Sequence, residues 1–324
     1  MVRSFSGQLR TCFPGYRTPF PAKSKKCSIF CGISVRSFLE SVFEVLRNWC
    51  SSLGGTYSGR LLRNAKQLLL RTLQPTLCST CMHVKGSGGV KRAVRIVRLQ
   101  ARHYPWAAKF DIASYYESID HQVLLDLLTA TGTSPHMQAL VADYLHLPDK
   151  SKSGKGMVAG GAISPLLGAL YLHPLDKAME QEERKGRILY RRFMDDFIIL
   201  AKSRHTFKSA IRTVHRVLAD LRLTLHPVKR FIGRTEKGFD FLGYQIHPDR
   251  KLRPSATSLH RTTERARRLY EHGASITRLR QYVTRWHRWL LGGLHELVTT
   301  KGGVTRYWVY VLKHLHISGA TIRT

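Results

Sequence analysis

Apolar residues recur along this chain at two spacings, and each predicts its own kind of element. Val90, Val94, Val97 and Ala101 fall three or four residues apart, the period of one helix face. The same spacing links Met137, Leu140, Val141 and Tyr144, then Leu166, Leu167, Leu170 and Tyr171, then Phe207, Ile211, Val214, Leu218 and Leu221. Ser134-Pro135 and Ser164-Pro165 precede two of these faces and predict a serine N-cap with proline at the first helical position. Short β-rich runs lie between them at 106–112, 188–200, 223–225 and 239–246. After position 255 the chain turns helical: Ile276, Leu279, Val283, Trp286 and Leu290 form a stripe, with Arg278, Arg280, Arg285 and Arg288 on other faces. Strands interleaved with helices around a central hairpin predict an α+β fold, not a doubly wound sheet.

Two of the β-rich runs carry acids where apolar residues would be expected. Asp195 and Asp196 stand side by side between Tyr190-Arg191-Arg192-Phe193-Met194 and Phe197-Ile198-Ile199-Leu200. Asp111 ends the run Trp106-Ala107-Ala108-Lys109-Phe110. Adjacent carboxylates repel one another, and divalent cations relieve that repulsion. A polar β-turn explains an isolated Asp-Asp pair, but not a third acid at the end of a second strand. Three carboxylates delivered to one point describe a two-metal nucleotidyl-transfer site. In a regular strand Asp195 and Asp196 face opposite ways, so the turn must distort or one of them must act from behind. Asp111 and Asp195 are therefore expected as the principal ligands, with Asp196 in support.

At these residues the sequence resembles the reverse transcriptases, in particular the bacterial group II intron-like branch. The resemblance is carried by Phe110-Asp111-Ile112-Ala113-Ser114-Tyr115-Tyr116, by Gly156 through Leu167, by Arg192-Phe193-Met194-Asp195-Asp196, and by Phe239-Asp240-Phe241-Leu242-Gly243-Tyr244. These motifs follow the family's order and cover roughly Lys85 to Trp289. The resemblance implies a right-hand polymerase palm with fingers and a C-terminal helical thumb. It divides the chain into a basic N-terminal region (1–84), a fingers and palm domain (85–255) and a thumb-like region (256–324). It implies RNA-directed DNA synthesis from deoxynucleotides on a DNA or RNA primer, with two magnesium ions or manganese in their place. It adds the Ile112 carbonyl as a further metal ligand, and Tyr115, Tyr116, Gly160 and Lys229 as nucleotide-binding residues. Tyr116 corresponds to the aromatic that excludes a ribose 2′-hydroxyl, and Lys229 to a position assigned to pyrophosphate protonation. Leu242, Gly243 and Tyr244 correspond to the primer-grip hairpin. Ala159 departs from the glutamine many relatives carry, which puts fine template contacts in doubt, not the reaction.

Charge narrows the partners. The chain carries 53 Lys plus Arg against 21 Asp plus Glu, a net charge of +32 that calls for a polyanion such as nucleic acid. Before Asp111 the only acids are Glu40 and Glu44. No apolar stretch approaches bilayer length, so a membrane is not expected as a partner. The acid-free start also suits an organellar transit peptide, but Pro14, Pro19 and Pro21 interrupt an amphipathic helix there, and a cytoplasmic location is expected. Six cysteines lie at 12, 27, 31, 50, 78 and 81. Cys78 and Cys81 have metal-ligand spacing, Cys27 and Cys31 make a looser pair, and His83 is close by. Free thiols in a reducing cytosol are favoured over a structural zinc site.

Lys91, Arg95, Arg98 and Arg102 form a basic stripe on the first helix, expected to contact template or triphosphate, and Arg285 and Arg288 are expected to hold duplex phosphates. The glycines of Lys85 to Lys91 lack the Gly-Lys-Ser/Thr ending of a Walker A loop, which excludes that kind of ATPase. After Asp249 only Glu264, Glu271 and Glu296 are acidic, too few for a ribonuclease H site. A cognate structured RNA, a mobile-element role and an antiviral-defence role all fit. The rival readings are a maturase-like RNA-binding protein on a polymerase scaffold, and a palm polymerase that makes RNA or needs no template. The complete set of three acids argues against the first, and Tyr116 against ribonucleotide use.

Overall fold

The two acid-bearing runs become neighbouring strands of one antiparallel sheet. In this computed structural model residues 59–146 and 153–317 are described, with side chains from Arg63 onward. Cys12, Cys27, Cys31, Cys50, the proline-interrupted start and Ser151-Lys152 lie outside the described residues. Strand β1 (Trp106–Asp111) pairs on one side with β3 (Asp196–Ala201), which continues to β2 (Ile188–Phe193), and on the other with β4 (Phe231–Arg234). Alternation along the strands gives the sheet two different faces. Phe110 and Phe197 point to one, their rings 5.5 Å apart, toward helices α7 (His173–Arg184) and α8 (Arg204–Asp220).

The other face, carrying Ala107, Ile198 and Leu200, is packed by Val94 and Val97 of α2 (Gly89–Gln100). The same core takes in Phe241 and Ile246 from a three-stranded sheet of β5 (Phe239–Phe241), β6 (Tyr244–His247) and β7 (Arg250–Pro254). It ends on Leu279, Val283 and Leu290 of α10 (Ile276–Leu291), which packs with α9 (Ala256–Glu271) and α11 (Gly303–His314). Each of these leucines is fully buried, and truncation to alanine at such positions costs about 2–5 kcal/mol. The arginines of α10 stay outside, as its stripe predicts. This is an α+β right-hand architecture: a palm sheet, fingers helices at its edge and a helical thumb.

Serine and aspartate caps set several helix starts. Asp120, Ser203, Ser255 and Ser275 each accept the backbone N–H three residues on, a contact worth about 1 kcal/mol. Ser164 departs from that expectation. It is the first residue inside α6 (Ser164–Tyr171), and its hydroxyl donates to the Val158 carbonyl at 2.6 Å while bonding Tyr144 at 2.7 Å. Residues 223–225 form no strand; Leu225 makes only a single bridge to Ile112. The short β4 and β7 escape a pattern search because Arg, Lys and Gly break their apolar runs.

The expected boundary at residue 84 cuts through packed structure. Helix α1 (Gly59–Leu73) buries Leu69 and Leu73, and Cys81 forms a parallel bridge with Arg192. Residues 59–84 thus pack on the polymerase body, α1 lying against α6. Among the described residues no helix is long and apolar enough to cross a membrane.

Candidate active site

Strand register builds the site. Asp111 and Asp196 are direct cross-strand partners, so their side chains share a face. Lys109, two residues before Asp111, shares it too, and its Nζ lies 3.5 Å from Asp196 Oδ2. Between β2 and β3 only Met194 and Asp195 are left for the turn, closed by the Phe193–Asp196 pair. Met194 takes a left-handed conformation with φ 56°, the distortion that consecutive carboxylates require. The Asp195 carbonyl accepts the Ile112 N–H at 3.3 Å, locking the turn to the end of β1. Asp111, Asp195 and Asp196 all line one cleft of about 1190 Å³. Asp196, not Asp195, is the strand partner of Asp111.

The electrostatics are those of charges held together against their preference. Burial pushes the Asp196 carboxyl up to about 7; Lys109 opposes this, and Asp111 and Asp195 add to it. Asp195 is raised as well, by burial and then by Asp111. Asp196 Oδ1 is buried and bonded to nothing. On the far side Lys229 Nζ lies 3.6 Å from Asp111 Oδ1. A tight turn delivers it: the His226 N–H donates to the Asp111 carbonyl at 2.7 Å, and His226 Nδ1 accepts from the N–H groups of Val228 and Lys229. Ile112, whose carbonyl is an expected ligand, is buried at the bridge to Leu225.

The other expected residues divide by exposure. Tyr116 is half-buried against Tyr115, their rings 5.4 Å apart, and Asp195 helps burial to raise its hydroxyl pKa. Tyr115 does not reach the cleft: it is buried and its hydroxyl donates to the Gly168 carbonyl at 2.5 Å. Gly160 has φ 80° in an exposed turn. Its neighbour Gly161 is required by packing alone, since a Cβ there would stand 1.7 Å from the Tyr144 hydroxyl. Leu242 and Gly243 form a tight turn with φ 48° and 86°, both lining the cleft. Tyr244 is fully buried and donates to the Leu290 carbonyl at 2.8 Å, so it ties the β5–β6 hairpin to α10.

The basic stripe on α2 meets protein. Lys91 Nζ donates to the Tyr244 hydroxyl and the Trp289 carbonyl and lies 4.2 Å from the centre of the Trp289 ring. Arg95 donates to the Gly293 carbonyl at 2.7 Å and pairs with Glu296; Arg98 donates to the Arg250 carbonyl at 2.9 Å. Arg102 donates to its neighbour His103 at 3.1 Å. Arg285 and Arg288 are exposed on α10 but do not line the cleft. The thumb side chains that do include Arg261, Arg265, Tyr282, Trp286 and Trp289, none of them anticipated as site residues. Cys78 and Cys81 are buried free thiols whose pKa burial pushes to about 12. Lys109 was legible from alternation alone; Arg261 and Arg265 needed the tertiary packing of α9.

A palm sheet with three acids at one end, facing a basic and aromatic thumb across a cleft, defines a template-dependent polymerase architecture. A family profile described as "Reverse transcriptase (RNA-dependent DNA polymerase)" matches residues 57–246, and the chain belongs to that family. Protein YkfC of Escherichia coli K12 is 23% identical over 198 residues, covering 48% of this chain and 52% of that protein. The group II intron-encoded protein LtrA of Lactococcus lactis subsp. cremoris is 26% identical over 136 residues, 40% of this chain and 23% of LtrA. The chain thus spans about half the length of one curated relative and a quarter of the other. Among solved structures, a telomerase from Candida albicans in complex with a fragment of telomeric RNA superposes with TM-score 0.52 at 14% identity, over 82% of this chain and 47% of that one. Apo telomerase from Candida tropicalis gives 0.50 at 13% identity, over 88% and 55%. At these identities the likeness is one of fold.

Proposed function

We propose that this chain is an RNA-directed DNA polymerase that extends a DNA or RNA primer with deoxynucleotides along an RNA template. The observation that carries the reading is the Asp111–Asp196 register, with Asp195 in the adjoining turn, at the floor of a cleft walled by Arg261, Arg265, Trp286 and Trp289. A binding protein gains nothing from buried like charges, whereas phosphoryl transfer depends on them.

The residues suit divalent cations. A buried carboxylate oxygen has no partner, and two acids have raised pKa values that a cation would lower. Among the described residues no group of three or more His, Cys, Asp or Glu side chains forms a finished cage. Magnesium tolerates this, because it keeps waters and takes phosphate oxygens beside one or two carboxylates. Asp111, Asp195 and Asp196, with the Ile112 carbonyl, would hold two magnesium ions, with manganese as a substitute. Bound there, the ions would draw the primer hydroxyl and the α-phosphate together and neutralise developing charge.

The chain's own groups supply the rest. Lys109 favours the ionised form of Asp196 against burial, Lys229 stands where pyrophosphate leaves, and Tyr116 fills space beside the sugar. The Leu242-Gly243 turn lies against the primer, and the thumb's arginines and tryptophans take phosphates and bases. A structured cognate RNA and a role in a mobile element or in phage defence are consistent with this activity. The test is extension of a labelled primer on an RNA template with deoxynucleotides and magnesium. The account expects extension, its loss on chelation, and persistence of primer–template binding; binding without extension under any divalent cation favours the maturase-like reading.

A further inference from the structure

The turn that carries Asp195 and Asp196 is held at Met194, a residue with no chemistry of its own. A non-glycine residue at φ 56° is strained and persists only where its surroundings fix it. Both sides of the Met194 residue are bonded. Its N–H donates to His83 Nδ1 at 3.0 Å, and its carbonyl accepts from Arg192 Nη1 at 2.9 Å. A peptide N–H can only donate, so Nδ1 carries no proton. The ring proton sits on Nε2, which donates to the Pro165 carbonyl at 3.0 Å.

Both holding groups are themselves fixed. The Arg192 N–H donates to the Thr80 carbonyl at 3.1 Å, and the Met82 N–H to the Arg192 carbonyl at 2.7 Å. Residues 80–83 therefore run beside β2 and bring the His83 ring edge-on to Phe193, 5.8 Å away. Arg192 is fully buried, a severe cost for a charge unless it is paired. It is paired twice over with Asp176: Nε donates to Oδ1 at 2.7 Å and Nη2 to Oδ2. Asp176 also accepts from the Tyr190 hydroxyl at 2.8 Å, and Arg192 Nη2 reaches Cys81 Sγ at 3.1 Å.

We propose that His83 and Arg192, the latter backed by Asp176, are positioning residues that clamp Met194 and thereby set how Asp195 and Asp196 approach Asp111. Through Pro165 the same histidine ties the turn to the first residues of α6. The inference rests on the polymerase reading for its kinetic consequence, but not for the clamp itself.

The experiment compares His83→Phe, which keeps ring bulk and leaves the Met194 N–H unpaired, with His83→Asn, which puts an amide oxygen near the position of Nδ1. Single-nucleotide insertion by His83→Phe should lose about tenfold or more in kcat, with KM for deoxynucleotide and primer–template affinity within about twofold; His83→Asn should stay within about threefold of wild type. A kcat for His83→Phe within about twofold of wild type overturns the proposal, as does an equal loss in both variants. Should His83→Phe fail to fold, His83→Gln replaces it, because its amide reaches Nε2 and misses Met194; equal rates for Asn and Gln then overturn the clamp. Hydrogen exchange at the Met194 amide reads the clamp without catalysis: slow in wild type and His83→Asn, about tenfold faster in His83→Phe. Unchanged exchange contradicts the proposal. A wild-type protein that never extends a primer defeats the functional reading while leaving this exchange result to decide the clamp.

Discussion

Gly168 of α6 lies against both tyrosines: a Cβ there would crowd the Tyr115 ring at 3.2 Å and meet the Tyr116 ring at 3.6 Å, an ordinary contact. On the proposed reading the Tyr116 ring, packed beside Tyr115 and α6, fills the space beside the sugar. Tyr116→Ala is expected to raise ribonucleotide incorporation and lower deoxynucleotide efficiency, each 1.4 kcal/mol of relieved clash appearing as about tenfold in the discrimination ratio. Matched single-nucleotide insertion measures it, and an unchanged ratio reopens the RNA-polymerase reading. His83 gives a second residue-level expectation. Burial first, and then Arg192, lower its pKa from 6.5 to about 4, while Asp176 opposes and Cys81 Sγ touches Nδ1. The unfolded chain therefore binds a proton that the folded chain refuses between these values. Stability is whole above about pH 6.5 and falls as pH drops toward 4, by up to about 3 kcal/mol. Urea denaturation at neutral and acid pH should show this loss in wild type and not in His83→Asn. Equal slopes would mean that His83 is not held neutral.

At the scale of elements, α2 acts as the rivet between palm and thumb. Its Lys91 sits over the rings of Trp289 and Tyr244 and donates to carbonyls in the last turn of α10, which have no helical partners and carry the negative end of the helix dipole. Lys91→Met should keep the packing of the stem but release those contacts. A loss of about 1–3 kcal/mol in folding stability is expected, with weaker primer–template binding and shorter products; stability and product length equal to wild type would contradict the rivet. This element also marks the limit of what the sequence discloses. The acid-bearing strands were legible because each is a local apolar run ending in aspartate. The protein partners of the α2 stripe were not legible, because they lie some 150–200 residues further on and no spacing within the helix points to them. Arg192 was quoted only as motif spelling, since nothing local says that Asp176 waits beneath it. His83 was weighed as a thiol-site neighbour, and only the bridge between Cys81 and Arg192 turns it toward the catalytic turn. Tyr244 and Tyr115 look like ligand aromatics in sequence because burial is a property of the assembled core.

The chain carries a net charge of +32, and among the described residues few ion pairs form and most of the basic side chains stay exposed. Binding of a primer–template duplex should therefore weaken by orders of magnitude between about 50 and 200 mM salt if six or more phosphates are neutralised. A flat profile would assign the charge to some other partner. The cleft joins all the scales, since palm acids, the Leu242-Gly243 turn and thumb aromatics line the same space. Its purpose is tested most directly by one substitution. Asp195→Asn keeps the size of the side chain and removes one of the three charges. Primer extension on an RNA template should fall by about a thousandfold or more while primer–template affinity stays level or rises. Extension within about tenfold of wild type would contradict the assignment of these carboxylates to catalysis.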